Sequence, residues 1–377
     1  MTDFEAGTDH QSRRRAENAV PRVLAELRRG QPVVLLQDDG AVALALAAET
    51  ADDAPFERLL RQNPEAALIA VTASRARALN IPPSGHDIVL VPWRPWFDLE
   101  TVRGIADATT DLAQPLAGPF DREKRAPTAL ETAAVRLAKL ARLLPAMIIV
   151  PLADAEPQVV AAADDLLLLD VALVEVYESQ TTLSLRQVTS ARVPLAGAEN
   201  ARLVAFRPGD GGIEHLAIVI GTPEPGQPVL TRLHSECFTG DLLGSLKCDC
   251  GQQLRGAIEV LASAGDGVLL YLAQEGRGIG LINKLRAYRL QEDGFDTIDA
   301  NLRLGFDADE RVFGPAAEML HQLGIERVRL LTNNPEKVRG LEAAGIEVTE
   351  RVPHSFPANA HNEFYLQTKR RRGGHLG

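Results

Sequence analysis

Residues Cys237 to Cys250 read CFTGDLLGSLKCDC and hold all three cysteines of the 377-residue chain. Ten residues separate Cys237 from Cys248, and one separates Cys248 from Cys250. With no other cysteine the chain has no disulfide framework to build, so three thiols in one loop need another use. Three thiolates leave a tetrahedral zinc one ligand short, the pattern of a catalytic site that keeps water in the fourth position. Two plainer readings stand beside it: a closed structural site completed by a distant histidine, or three thiols that are neighbours by accident.

Outward from this loop, RLHSE (Arg232 to Glu236) precedes it and Gln253 follows it. Further on come YLAQEGRGIGLINKLRAY (Tyr271 to Tyr288), NLRLGFDADER (Asn301 to Arg311) and LLTNNPEKV (Leu330 to Val338). Taken in this order, these motifs resemble GTP cyclohydrolase II, which opens the imidazole ring of GTP in the first committed step of riboflavin synthesis. The resemblance covers roughly Arg192 to Gly377. It implies zinc on Cys237, Cys248 and Cys250, with Asp309 as general base and Arg311 as the group that is guanylylated at the α-phosphate. The guanidinium stays protonated at working pH, and its planar fork of donors matches phosphate oxygens, so a phosphate clamp is the physical reading of Arg311.

The same resemblance implies a GTP site lined by Arg232, Leu233, His234, Ser235, Glu236, Gln253, Glu275, Gly276, Arg277, Thr297, Thr332 and Lys337, with Mg2+ on the phosphates. Glu275 is suited to accept from guanine's N1–H and 2-amino group, and the glycine-rich turn 275–280 offers backbone N–H groups to an anion. Thr332 also reads as a strand-end hydroxyl capping the helix that starts near Pro335. Tyr288 shares a helix face with Lys284, one turn away. In the family a tyrosine there helps the second hydrolysis, so its presence implies the full reaction, with release of formate and pyrophosphate and 2,5-diamino-6-hydroxy-4-(5-phosphoribosylamino)pyrimidine as product. Val312, where many relatives carry an acid, departs from the pattern. The alternatives are a paralogue that stops at the formamidopyrimidine or serves another pyrimidine pathway, and a non-catalytic nucleotide-binding protein.

Length allows two domains. Hydrophobic residues make up 45% and charged residues 24%, an ordinary globular balance. Apolar runs such as AMIIVPLA are too short to span a bilayer, and the polar start MTDFEAGTDHQSRRR lacks a secretory h-region. A cytoplasmic location with reduced thiols is expected. The net charge of −11 argues against nucleic acid as a partner, so a polyanionic substrate must meet a local basic cluster. A homodimer is implied by the resemblance alone.

In chain order, residues 1–15 read as a charged lead-in, and AVPRVLAELRRG as an amphipathic helix ending at Gly30. QPVVLLQDDG, AALIAVTA and AMIIVPLA read as strands, and TALETAAVRLAKLARLLP as a helix. The alternation predicts an α/β domain over 16–190. From Asp170 to Leu195 the chain reads as a connector with some strand character. ARLVAFRPGDGGIEHLAIVIG predicts a hairpin. A strand into the thiol loop follows, then helix QQLRGAIEVLASAG, strand GVLLYLA and helix GLINKLRAYRLQEDG. NLRLGFDADER reads as a loop, followed by helix, strand, helix, strand to ERV. The expected class is α/β with α+β elements in both halves, a second domain of the GTP cyclohydrolase II type over 191–368, and a basic tail over 369–377.

The first half also resembles 3,4-dihydroxy-2-butanone 4-phosphate synthase, in VLAELRRGQPVVLLQDDG, in Ala47 to Glu49, and in ETAAVRLAKLARLLPAMII. That family carries an acidic run after its paired aspartates. Here Asp38 and Asp39 lead directly into GAVALALAAE. The family's histidine falls at Leu130, and its glycine- and threonine-rich stretch has no counterpart. A dication needs several hard oxygen ligands, which an Ala/Leu run cannot supply. The expectation is a non-catalytic relative.

Overall fold

A computed structural model describes residues 18–114, 118–224, 226–357, 362–363, 367–368 and 371–372. The lead-in 1–15 and most of the tail 369–377 lie outside them. The chain divides into two compact units. One runs to Gln180 and also takes in Ile282–Phe295 and Asp299–Asp309. The other comprises Thr181–Leu281, Asp296–Ile298 and the chain from Glu310 onward.

Helix α1 (18–28) opens the first unit and buries Val20, Val23, Leu24 and Leu27, the apolar stripe of AVPRVLAELRRG. Strands β1 (Val33–Leu36) and β2 (Val42–Ala47) form an antiparallel hairpin. Its turn is closed by Asp39, whose carboxylate accepts from Ala41 N (3.0 Å) and Gln37 Nε2 (2.9 Å). Then come α2 (Asp53–Leu60), β3 (Leu68–Thr72), α3 (Ala73–Ala78), β4 (Ile88–Pro92) and α4 (Leu99–Ala106). Helix α5 (Ala129–Leu140) starts with a Thr128/Glu131 capping box, in which both side chains satisfy end N–H groups. β5 (Ala146–Leu152), α6 (Pro157–Ala163), β6 (Leu168–Asp170) and α7 (Ala172–Leu183) follow.

The six-stranded sheet has the order β4-β3-β5-β2-β1-β6. Only β1 with β6 is parallel; the other neighbours are antiparallel. The unit therefore mixes helices and strands: β1 and β2 form a direct hairpin, and the other successive strands are joined through helices. Residues 170–195 read as a connector with some strand character: strand β7 (Arg186–Arg192) supplies the strand, and helix α7 is the correction. Val174 and Tyr177, three apart, bury one side of α7 while most other positions along it stay at least half-exposed. So narrow an apolar stripe gives a weak helical signal.

In the second unit β7 is followed by the expected hairpin, β8 (Ala201–Arg207) and β9 (His215–Ile220). β10 (Val229–Ser235), α8 (Cys250–Ala264) and β11 (Gly267–Leu272) come next. Helices α9 (Gly280–Glu292) and α10 (Thr297–Arg303) follow in sequence but belong mostly to the first unit; α10 runs into the first three residues of NLRLGFDADER, and the rest of that stretch is a loop. Asp296 caps α10 by accepting from Ile298 N at 2.8 Å. The chain ends in α11 (Gly314–Gln322), β12 (Arg327–Leu331), α12 (Pro335–Ala343) and β13 (Glu347–Val352).

The sheet order is β13-β12-β10-β11-β9-β8-β7. β13, β12, β10 and β11 run parallel, and β9, β8 and β7 extend them antiparallel. α11 and α12 cover one face over Val219, Leu233, Val268, Leu270 and Leu330. α8 covers the other over Leu230, Leu269 and Leu331. Parallel strands buried on both faces leave their carboxyl ends as the place where an open α/β sheet receives ligands.

Candidate metal and nucleotide site

Four parallel strands deliver their last residues to one edge of the second unit. β10 ends in Ser235 and passes through Glu236 into Cys237. A single π-helical turn, Phe238–Leu242, folds the loop back, and Cys250 begins α8. The three sulfurs lie within 4.8 Å of one another, with Cys237 and Cys248 at 3.8 Å. Cys237 and Cys248 are buried and Cys250 is half-buried. Gly240 N donates to Cys237 Sγ at 3.3 Å. A Cβ at Gly240 would meet Cys248 Sγ and Cys250 Cβ at 2.8 Å and Cys237 Sγ at 3.0 Å, so only glycine fits against the cluster.

The Cys248 and Cys250 thiols resist ionisation. Hydrogen bonding to Cys237 pushes the Cys248 thiol up to about 11, and Cys237, Cys248 and burial push Cys250 well above the ordinary thiol range. Crowded thiols behave so because each thiolate opposes the next; a bound dication reverses that balance. The donor set, its spacing and the glycine cradle all suit a soft, tetrahedral metal.

Asp241 ties the turn to the strands. Its Oδ2 accepts from Cys237 N (3.0 Å) and from the Tyr271 hydroxyl (3.0 Å), and both oxygens contact His234 Nε2 at 3.0–3.1 Å. The His234 ring stacks on Tyr271 with centroids 5.6 Å apart. Burial lowers the His234 pKa against the opposing pull of Asp241, and Nε2, facing a carboxylate that can only accept, is the nitrogen that donates. Burial first, then the Asp241 charge, raises the Tyr271 phenol.

Glu275 braces the turn from β11: one oxygen accepts from Phe238 N at 2.6 Å and the other from Gly276 N at 2.8 Å. One N–H of the glycine-rich turn is therefore already committed. Gly276 and Arg277 both have positive φ, 65° and 61°. Arg277 in that region is a strained residue of the kind that clusters at functional sites. The strain is held by Glu310 N, which donates to Arg277 O at 3.0 Å.

A basic wall lies alongside. Arg232 is buried, donates to Leu331 O at 2.9 Å and bonds Gln253, which in turn bonds Asp249. Burial lowers the guanidinium to about 10 despite the nearby Asp249. The buried Lys337 ammonium donates to Leu233 O at 2.6 Å. Thr332 Oγ1 accepts from Asn334 N at 3.0 Å, while Asn334 Oδ1 accepts from Glu336 N. Asn334, not Thr332, thus caps α12, which sequence reasoning missed although NP before a helix is a capping signal. Gln274 and Asp241, equally unforeseen, hold neighbouring loops: Gln274 Nε2 donates to Val312 O at 2.6 Å.

Four buried polar atoms at these strand ends carry no hydrogen bond: Arg232 Nε, His234 Nδ1, Ser235 Oγ and Gln274 Oε1. Native interiors leave few such groups, so a cluster of them on β10 and just past β11 marks a surface made for a polar ligand. Arg311 is half-buried with its guanidinium 5.8 Å from the Phe313 ring centroid, and Thr297 is half-buried at the start of α10. Tyr288 and Asp309 fall in the first unit. Tyr288 is half-buried with the Lys284 ammonium 5.7 Å from its ring centroid, and Asp309 is exposed.

Such a site, on such a sheet, belongs to an enzyme of mixed α and β structure. Residues 186–353 match the family model described as GTP cyclohydrolase II. The chain is 52% identical over 363 residues to GTP cyclohydrolase-2 of Azospirillum brasilense, covering 96% of this chain and 94% of that one. It belongs to the GTP cyclohydrolase II family. It is also 42% identical over 252 residues to riboflavin biosynthesis protein RibBA of Parabacteroides distasonis, with 65% of this chain and 62% of that one covered. A solved structure titled RibBX, a two-domain 3,4-dihydroxy-2-butanone 4-phosphate synthase from A. baumannii, matches at TM-score 0.36 and 18% identity, over 90% of this chain and all of that one. Among the described residues no helix is long and apolar enough to cross a membrane.

Proposed function

We propose that the chain hydrolyses GTP, opening the imidazole ring with release of formate and pyrophosphate to give 2,5-diamino-6-hydroxy-4-(5-phosphoribosylamino)pyrimidine, the entry reaction of riboflavin synthesis. The observation that carries this is the three-thiol cluster beside a wall of buried, unsatisfied polar atoms at the carboxyl ends of parallel strands. Cys237, Cys248 and Cys250 hold zinc. When bound, the metal supplies a hydrolytic water whose pKa falls to about 7.

The remaining roles belong to the chain. Arg232, Lys337 and Arg311 receive the triphosphate, with magnesium accompanying it as part of the substrate. Leu233 to Glu236, Gln253, Gly276, Arg277, Thr297 and Thr332 complete the nucleotide site. Glu275 accepts from guanine while bracing the loop through its bonds to Phe238 N and Gly276 N. Asp309 takes the proton released as C8 is hydrated. Tyr288 holds the formamide for the second hydrolysis. Residues 191–368 act as the catalytic domain, 16–190 as a non-catalytic one, and the working form is a homodimer in the cytoplasm.

The test is mass spectrometry of products after incubation with GTP. Equimolar formate and pyrophosphate with the diaminopyrimidine is the expected result. Accumulation of the formamidopyrimidine would mean that the reaction stops one step earlier, and recovery of unchanged GTP from zinc-loaded protein would overturn the proposal.

A further inference from the structure

The residues proposed as base and formamide holder, Asp309 and Tyr288, lie on segments that pack into the first unit. Their anchorage is specific. Thr72, at the end of β3, donates its hydroxyl to Gly305 O at 2.8 Å, and the bond is buried. Gly305 has a φ of +90°, and a Cβ there would meet Thr72 Oγ1 at 3.0 Å and both Arg75 Cβ and Pro145 Cδ at 3.4 Å. The contact therefore admits no side chain.

Arg75 lies beneath it, only 1% exposed. It forks onto Asp111 with two bonds of 2.7 Å and donates to Ile105 O, Gly104 O and Arg303 O. Arg303 pairs with the same Asp111 at 3.3 Å. Lys139 of α5 pairs with Asp307, two residues before Asp309, at 3.0 Å. On α9, Arg286 reaches Glu49 (2.9 Å) and Asp107 (3.1 Å), and Asn283 donates to Arg142 O (2.9 Å). Glu49 is itself fixed by Leu144 N at 2.6 Å.

A stretch that needed only burial would not require a forked guanidinium, a buried hydroxyl and four ion pairs with partners more than a hundred residues away in sequence. Polar contacts of this kind set position, because each has one good geometry. They converge on α9 and on 299–309, the stretches that carry Tyr288 and Asp309. We propose that the N-terminal unit is the positioning element of the cyclohydrolase reaction: Thr72, Arg75 and Lys139 fix the Asp309 segment, and Glu49 fixes α9 and with it Tyr288. The inference rests on the proposed roles of Asp309 and Tyr288.

Arg75→Ala would empty a buried position and leave Asp111 with Arg303 alone, which risks misfolding, so the test uses milder changes in the full chain. Thr72→Val removes the donor to Gly305 at constant shape; Thr72→Ser restores it. Lys139→Ala removes the pair beside Asp309. Arg94→Ala, which breaks the exposed pair with Asp121, serves as control. Displacement of a reacting group by about 1 Å can cost about a hundredfold in rate. Thr72→Val and Lys139→Ala are expected to lower kcat tenfold or more at unchanged KM and zinc content, Thr72→Ser to recover most of it, and Arg94→Ala to match wild type. Glu49→Gln is expected to raise the pyrophosphate-to-formate ratio, because it loosens α9.

A merely structural role would lower the active fraction without changing product ratio or rescue by serine. If Asp309→Ala abolishes turnover while Thr72→Val and Lys139→Ala keep wild-type kcat, the positioning inference is wrong and the catalytic reading survives. If Asp309→Ala itself keeps turnover, the catalytic reading is what fails.

Discussion

Gly240 shows how one residue is dictated by its neighbours' chemistry. Two sulfurs and the Cys250 Cβ crowd the place where a Cβ would stand, at 2.8–3.0 Å, and its N–H is a donor to one of the sulfurs. A methyl group must push at least one sulfur away, and overpacking of this kind costs roughly 1–3 kcal/mol. Gly240→Ala is therefore expected to purify with zinc well below one per chain, and Cys248→Ser likewise. Elemental analysis after dialysis reads both, and full occupancy with normal turnover in Cys248→Ser would remove that thiol from the ligand set. The cysteines were legible because their spacing is a ligand pattern in itself. Gly240 and Asp241 were not, since nothing in FTGDL says which residue must be small or which carboxylate will tie the turn to Cys237, His234 and Tyr271. Long-range contacts assign those roles.

At the scale of elements, strands with strong apolar runs read correctly: β1, β3, β5, β10 and β11 all sit where alternation or burial predicted. The elements that escaped have weak local signals. β2 is an Ala/Leu run that suits a helix equally well, and pairing on both sides by β1 and β5 makes it a strand. α10 depends on the Asp296 cap rather than on periodicity. The segment after β13 is fixed by polar groups. His354 Nε2 contacts Gln253 O at 3.0 Å, and Asn333 pairs with the His354 backbone on both sides. Burial, with the Arg232 charge and His234 adding to it, lowers the His354 pKa to about 4; the Gln253 carbonyl and Asp249 oppose this. The unfolded chain holds this proton below about pH 6.5 and the folded chain does not, so unfolding takes up a proton between about pH 6.5 and 4. Its contribution to stability is full above pH 6.5 and fades as the pH falls through that window. His354→Gln should flatten the loss of the urea midpoint between pH 7 and pH 5; an identical slope in the variant would show that other groups carry the acid sensitivity.

The whole molecule joins a unit whose sheet is mostly antiparallel to one whose site lies at the ends of parallel strands, and the first unit's own surface explains why it should have no synthase chemistry. All six residues of β2 are buried and paired on both edges, which is the position where a dication-binding run of acids would have to begin. Asp39 spends its carboxylate on the hairpin turn. Leu130 is 4% exposed and packs in an apolar core with Ala133, Ala134 and Leu137, and its alkyl side chain can take up no proton. A hard dication needs roughly six oxygen ligands, and burying an unpaired carboxylate in β2 would cost several kcal/mol, so a few substitutions cannot restore the site. The wild-type protein with magnesium and ribulose 5-phosphate should form no 3,4-dihydroxy-2-butanone 4-phosphate above background, under conditions in which it consumes GTP. Mass spectrometry for the butanone phosphate decides the matter: steady, enzyme-dependent accumulation would mean that the first unit binds its dication elsewhere and keeps an activity of its own, and its role could not then be positioning alone.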